Sequence, residues 1–509
     1  MPSPTDDRPS TFGELLARHD PESPALADVS GEAMAYGALR EQIGRTGEAL
    51  NASGVGRGDA VALVLRNGPQ AAAAFVAVAS AAAAAPLHPG LTRHEFEENL
   101  ESLRARALIV DGSAPPAASA AAAERGVPVF LLQPTHSAGA FRLRTGRSAR
   151  AARPGPATPG DTALLLHTSG TTARPKLVPL THANLVASAR SVARTLRLGP
   201  ADTCLNVMPL FHIHGLAGVL LASLRAGAAV VAAPGFHAMR FFRWLGTSKP
   251  TWYSAVPTMH QAVLQRSARN RKALASHTLR LIRSSSAALP PTVLADLEDR
   301  FGCPVIEAYG MTEAAHQMAS NPLPPGRRKP GTVGLADGPE VAVMDPSGSL
   351  LPAGATGEVV IRGPNVTAGY VENPAANAAA FTDGWFRTGD QGFRDGEGYF
   401  TITGRLKELI NRGGEKISPR EIDEALLQHP AVTQAVAFAA PHSKLGEEIG
   451  AAIVLGQGSR LTRHQIREFV AERLAAYKVP RIVLFVESIP KGPSGKLKRV
   501  GLARELGIG

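Results

Sequence analysis

"TALLLHTSGTTARPKLVPLTH", residues 162–182, runs from an apolar segment through five consecutive hydroxyl or glycine residues, Thr168 to Thr172, into Arg174-Pro175-Lys176. The segment 162–166 has the length and composition of a buried strand. The stretch that follows carries too little apolar surface to join a core. It does carry consecutive backbone N–H groups, hydroxyls and two cations, which together form a concavity for an anion such as a phosphate. The spacing GxxxxGK[ST] is absent, so this is not a Walker loop. A strand that ends in such a loop, with a helical pattern following, belongs to an α/β organisation.

The neighbouring segments agree. "DAVALVL" (59–65), "RALIVD" (106–111), "VPVFLL" (127–132) and "AAVVAA" (228–233) read as further buried strands, separated by alanine-rich helical stretches. "AAAAFVAVASAAAAAPL" (71–87) is too short for a membrane span and reads as a buried helix. The segments 112–126 and 137–160 are low in complexity, and the second, arginine-rich, reads as a solvated connector. From about residue 334, short strands alternate with Gly/Asp turns ("EVAVMDPSGSLL", "GEVVIRG", "GYFTITG"), the pattern of a small antiparallel sheet. Beyond Gly404, "SPREIDEALLQHP" (418–430) reads as a capped amphipathic helix. "VTQAVAFAAP" (432–441) and "EIGAAIVLG" (448–456) read as strands, and "TRHQIREFVAERL" (462–474) as a second helix. The expected division is 1–403 and 404–509, with a hinge near 405–408.

Composition narrows the function. The 509 residues are 44% hydrophobic and 19% charged, enough to bury a large core in several units. The formal net charge of +11 comes from arginines spread along the chain, and aromatics make up 5%. A nucleic-acid surface would need a concentrated basic arm or an interleaved aromatic platform, so small anionic ligands are the expected partners. Cys204 and Cys303 are far apart and lack metal-ligand spacing, which argues against a disulfide framework or structural zinc and fits a reducing cytoplasm. The N-terminus lacks the pattern of a signal peptide, and no membrane insertion is expected.

Four further motifs follow the loop in order: "EAYGMTEAAHQM" (307–318), "GWFRTGDQG" (384–392), "GRLKELINRGGEKISPREID" (404–423) and "PKGPSGKLKR" (490–499). With the loop they resemble the adenylate-forming superfamily of acyl-CoA synthetases, peptide-synthetase adenylation domains and luciferases, over nearly the whole chain. The resemblance implies a large N-terminal AMP-binding domain of parallel-type sheets with a small β-barrel-like part, and a small mobile α+β C-terminal domain. It implies ATP, Mg2+ and CoA as the participants in two half-reactions. A carboxylate attacks the α-phosphorus of ATP, releasing pyrophosphate, and the thiol of CoA then attacks the acyl-adenylate.

By the same resemblance, Thr168, Ser169, Gly170, Thr171, Thr172 and Lys176 match the loop for the β- and γ-phosphates. Ser286, Ala287, Glu307, Ala308, Tyr309, Gly310 and Met311 match the AMP site, with Tyr309 against adenine. Thr312 matches the α-phosphate ligand, Glu313 the magnesium ligand, and Asp390 and Arg405 the ribose ligands. Lys407 occupies the hinge position. Gly413, Gly414 and Lys416 match the pantetheine tunnel, and Lys496 the mobile lysine that bridges carboxylate and α-phosphate. The phosphate loop departs from the family in Ala173 and Leu177, where many relatives have glycine.

The acid is read from "MPLFHIHGL" (208–216), "SSSAAL" (284–289) and the segment 312–334. These look closest to the oxalate–CoA ligase branch, in which His212, Ser286, Gly310 and His316 line the acyl pocket. A hydroxyl and an imidazole suit a second carboxylate. Hydrophobic, aromatic or pathway-specific acids stand beside this reading, and His212 and His214 read equally as helix-start packing. A carrier-protein phosphopantetheine is the alternative acceptor to CoA, and a relative performing one half-reaction is the alternative activity. A monomer or homodimer is expected.

Overall fold

The short apolar runs form strands that must bury both faces. The computed structural model describes residues 10–135, 137–168, 176–492 and 495–508. Seven strands form one sheet in the order Phe141–Arg144, Val129–Pro134, Ala107–Val110, Ala60–Val64, Ala83–Pro86, Thr162–His167, Leu177–Thr181, parallel except at its two edges. Nine form a second, in the order Leu335–Ala336, His316–Ser320, Val305–Met311, Leu281–Ser285, Trp252–Ala255, Thr203–Asn206, Ala229–Ala232, Pro24–Ala27, Ala33–Ala35. Its central five pairings are parallel, and helices cover both faces, as an all-buried parallel sheet requires. The fold is mixed α/β.

The alanine-rich stretch at 71–87 is not one helix. Pro69–Ala79 is helical, and all its residues but Gln70 are buried; the chain then turns and Ala83–Pro86 becomes a strand between Ala60–Val64 and Thr162–His167. Alanine's small methyl fits either conformation, so the parallel neighbours on both sides override its helix propensity. The low-complexity segment 112–126 likewise contains a helix, Pro116–Glu124, started by prolines at its N-terminus.

Between 340 and 405 lies a five-stranded antiparallel sheet, the part expected to be barrel-like; Trp385–Arg394 pairs with Gly357–Arg362 on one side and Phe400–Arg405 on the other. The last sheet begins at Ile410 and is built round the long pair Val432–His442 and Gly446–Leu455, packed by helices Pro419–Leu427 and Arg463–Ala471. Thr462 and Gln465 form a capping box on the second helix. On the first, Ser418 does not cap. Its hydroxyl donates to the carbonyl of Thr403, and Arg420 Nη1 donates to the carbonyl of Ile402. Both donors fasten the start of this helix to the strand Phe400–Arg405 instead. Among the described residues no helix is long and apolar enough to cross a membrane.

Candidate active site

The parallel strands Leu281–Ser285 and Val305–Met311 end side by side, and their carboxyl ends open into the cleft, where ligands of open α/β sheets bind. Tyr309 stands at the end of the second strand. Its hydroxyl donates to Asp390, whose other carboxylate oxygen accepts from Arg405 Nε at 2.8 Å. Asp390 and Arg405 are directly opposed across the strands Trp385–Arg394 and Phe400–Arg405, so sheet register brings them together. Burial and the Asp390 charge push the Tyr309 phenol up, and the same carboxylate raises the Arg405 pKa.

After Met311 the chain makes one 3-10 turn, Thr312–Ala314, and this turn buries Glu313. Tyr370 donates to Glu313 Oε1 at 2.9 Å, and Lys176 Nζ lies 4.4 Å from the centre of the Tyr370 ring. Burial raises the Glu313 pKa, opposed by the Tyr370 bond and by Arg405 and Lys176. Thr168 N–H donates to the carbonyl of Lys176 at 2.9 Å, which closes the pair Thr162–His167 and Leu177–Thr181 beside this group. Ser169, Gly170, Thr171 and Thr172 lie outside the described residues.

Lys496 enters from the C-terminal segment. Arg499 anchors that segment by pairing with Asp423 at 2.6 Å and Glu408 at 3.1 Å, and Thr258 Oγ1 donates to the carbonyl of Gly495 at 2.8 Å. The Lys496 residue keeps exposed surface, but protein crowds its ammonium, which lies in the fields of Arg405, Asp390 and Glu408. Desolvation lowers its pKa to about 8.

Its charge also reaches His212, His214 and His316. Here the cleft floor becomes a buried polar pocket. His214 and His316 stack with ring centres 5.0 Å apart and 18° between planes. Ser286 Oγ is 3.0 Å from His214 Nδ1, and Ser254 Oγ is 2.7 Å from His214 Nε2. Behind Ser254 lies Arg283, fully buried, within 3.4 Å of that hydroxyl. Two glycines make the room. A Cβ on Gly218, in the wide helical turn His214–Leu221, would meet His316 Cδ2 at 2.3 Å, and one on Gly310 would meet the His316 carbonyl oxygen at 1.6 Å. Ser286, Ala315 and His316 hold positive φ values of 74°, 49° and 103°, backbone conformations that concentrate at ligand sites. Burial pushes both imidazoles well below their ordinary range, with the neighbouring cations adding to it.

The structure therefore brings Tyr309, Gly310, Met311, Thr312, Glu313, Asp390, Arg405, Lys496, Ser286, His316 and His212 to one cleft. His214 joins the wall of this pocket, and His212 packs against Phe211, ring centres 4.7 Å apart, with its Nε2 buried and without a hydrogen-bond partner. Arg283 and Ser254 were not singled out in the sequence. An arginine inside the otherwise apolar run before three serines, Leu281-Ile282-Arg283, was the available signal. Ala287 is exposed and Ala308 is buried beside Tyr309. Glu307 accepts from Gly331 N–H at 3.2 Å, and burial raises its carboxyl to about 7. Gly413 and Gly414 form the exposed turn between Ile410–Arg412 and Glu415–Ile417, and Lys416 is exposed in the second of these strands, paired with Asn411. With φ values of 61° and 99°, the two glycines answer the demands of that turn. Lys407 is exposed in the 3-10 turn Leu406–Glu408.

Among the described residues no group of three His, Cys, Asp or Glu side chains could hold a metal. Glu313 has one oxygen committed to Tyr370. That fits an ion that takes a single protein carboxylate and completes its shell with phosphate oxygens and water, as magnesium does.

Residues 14–371 match the family described as AMP-binding enzyme, and 421–496 the AMP-binding enzyme C-terminal domain. An oxalate–CoA ligase of Arabidopsis thaliana is 44% identical over 495 residues, 96% of each chain. A sulfoacetate–CoA ligase of Cupriavidus necator is 39% identical over 95% of this chain and 94% of its own. The crystal structure of ATP-bound MatB from Rhodopseudomonas palustris superposes with a TM-score of 0.88 at 30% identity, covering 97% of this chain and 98% of that one.

Proposed function

The chain belongs to the AMP-binding enzyme family and is an AMP-forming acid–thiol ligase; from that premise we propose that its acid is small and carries a second anionic group, as oxalate does. One observation carries this reading. The pocket beside Lys496 is buried and lined by His214, His316 and Ser286, with the Arg283 charge behind them. Such a lining rewards an anion and leaves an alkyl chain with unpaired polar neighbours. Two relatives whose names give acids with two anionic groups, oxalate and sulfoacetate, point the same way.

ATP and CoA are the co-substrates. In the first half-reaction the acid's carboxylate oxygen bonds to the α-phosphorus as the bond to pyrophosphate breaks. Lys496 stands between the acid pocket and Asp390, where its ammonium offsets charge growing on the α-phosphoryl oxygens. Tyr309 backs the base, and Asp390 and Arg405 hold the ribose hydroxyls. Lys176, with the loop it closes, and Thr312 hold phosphates. Glu313 would hold a magnesium ion, which when bound would supply charge neutralisation on the phosphates. In the second half-reaction the CoA sulfur bonds to the acyl carbon and AMP leaves. We assign the chain division to 403/404 with the pivot at 405–408, and the Gly413–Gly414 turn with Lys416 to the pantetheine side after the pivot.

The test is a panel of oxalate, sulfoacetate, glycolate, acetate and benzoate, with pyrophosphate release and thioester formation measured separately. Oxalate or sulfoacetate should lead in kcat/KM. A lead by acetate or benzoate overturns the acid assignment.

A further inference from the structure

Arg283 has no carboxylate in contact. Its Nη2 donates to Gln317 Oε1 at 2.8 Å, its Nη1 reaches Ser254 Oγ at 3.4 Å, and its Nε has no hydrogen-bond partner. Gln317 in turn donates to Asp337 at 2.5 Å, so the balancing charge is one residue removed. A fully buried guanidinium held at one remove from its counter-charge is costly, and its position behind the acid pocket calls for a use.

The contacts form a chain: Arg283, Ser254, His214, Ser286. A guanidinium only donates. Ser254 Oγ accepts from Arg283, which leaves its own proton free to go to His214 Nε2, 2.7 Å away. With Nε2 accepting, the neutral imidazole carries its proton on Nδ1 and donates it to Ser286 Oγ at 3.0 Å. Ser286 accepts there, and its hydroxyl proton is left to point outward. The ring is neutral because burial among cations holds its pKa well below the ordinary value, so the tautomer matters.

We infer that Arg283, without touching the acid, is a positioning residue that polarises the Ser254–His214–Ser286 chain so that Ser286 presents its proton to the distal carboxylate of a small diacid. The inference rests on the acid assignment above and adds its selector. The guanidinium charge favours a second anion over a hydroxyl or methyl group in that place, and the chain converts this preference into a directed hydrogen bond.

The experiment compares the parent enzyme with Arg283→Met, Arg283→Lys and Ser254→Ala. Oxalate and glycolate serve as acids, and the readouts are pyrophosphate release and the 15N spectrum of the imidazoles, with His214 assigned through His214→Gln. The oxalate-to-glycolate ratio of kcat/KM should fall about tenfold or more in Arg283→Met and in Ser254→Ala, as for loss of one charge-assisted bond. KM for ATP should hold, and Arg283→Lys should recover part of the ratio. His214 should be the Nδ1–H tautomer in the parent and lose that preference in Ser254→Ala. If Arg283→Met does not fold, Ser254→Ala alone decides. An unchanged ratio in a folded variant, or an Nε2–H tautomer in the parent, overturns the inference. A parent enzyme that prefers glycolate while His214 remains Nδ1–H overturns the acid assignment and leaves the polarity of the chain standing.

Discussion

Because a Cβ on Gly218 would sit 2.3 Å from His316 Cδ2, the imidazole lies against His214 only while that helical position carries no side chain. Gly218→Ala should therefore move His316 and raise KM for the acid by roughly ten- to a hundredfold, with KM for ATP little changed; steady-state kinetics in each substrate check it. Lys496 makes a second residue-level prediction. With a pKa lowered to about 8, its charged form is complete below that value and is lost as pH rises through it. Acid adenylation, followed as kcat/KM, should fall about tenfold per pH unit above 8. Lys496→Arg should remove this limb, and thioester formation from supplied acyl-adenylate should not show it. The residues proposed for the nucleotide side stand in the sequence as motifs, since Tyr309 to Glu313 are consecutive and their chemistry is local. Arg283 and Ser254 did not, because each sits inside an ordinary strand and acquires its role only when two parallel strands place both side chains behind His214.

At the scale of elements, the strands were legible wherever a short apolar run had to be covered on both faces, as at 60–64, 107–110 and 229–232. The stretch 71–87 was not, because alanine accepts either conformation and long-range pairing makes the choice. Nor was the start of the helix at 419, where Ser418 and Arg420 bond backward to the preceding strand. That fastening spans the 3-10 turn Leu406–Glu408, so any rotation of the small unit must break or carry it. Lys407→Pro fixes φ near −65° and disfavours the helical conformation of Leu406. Lys407 is exposed, so no core packing is lost. Adenylation should survive in this variant and overall CoA ligation should fall by about tenfold or more, as for a gating step. Equal rates to the parent in both half-reactions would place the pivot elsewhere.

For the molecule as a whole, the conformation described is one in which the C-terminal segment is docked on the large body through Thr258 and Gly495, with Lys496 in the cleft. Thr258→Ala removes that clasp. It should slow adenylation by about three- to tenfold, the worth of one hydrogen bond, and leave thioester formation from acyl-adenylate unchanged; single-turnover assays of each half-reaction separate the two. Arg405 carries a further consequence. It is the last residue of the strand Phe400–Arg405, it is bonded to Asp390, and the chain leaves the antiparallel sheet immediately after it. On the proposed assignments, a ribose that engages Asp390 and Arg405 would grip the final fixed point before the pivot, and occupancy of the nucleotide site and orientation of the small unit would be thermodynamically reciprocal. Whatever factor nucleotide adds to the docked population, a crosslink enforcing docking would return to nucleotide affinity, so a disulfide across the Thr258–Gly495 contact would turn this ligase into an equilibrium gauge of the proposed domain motion.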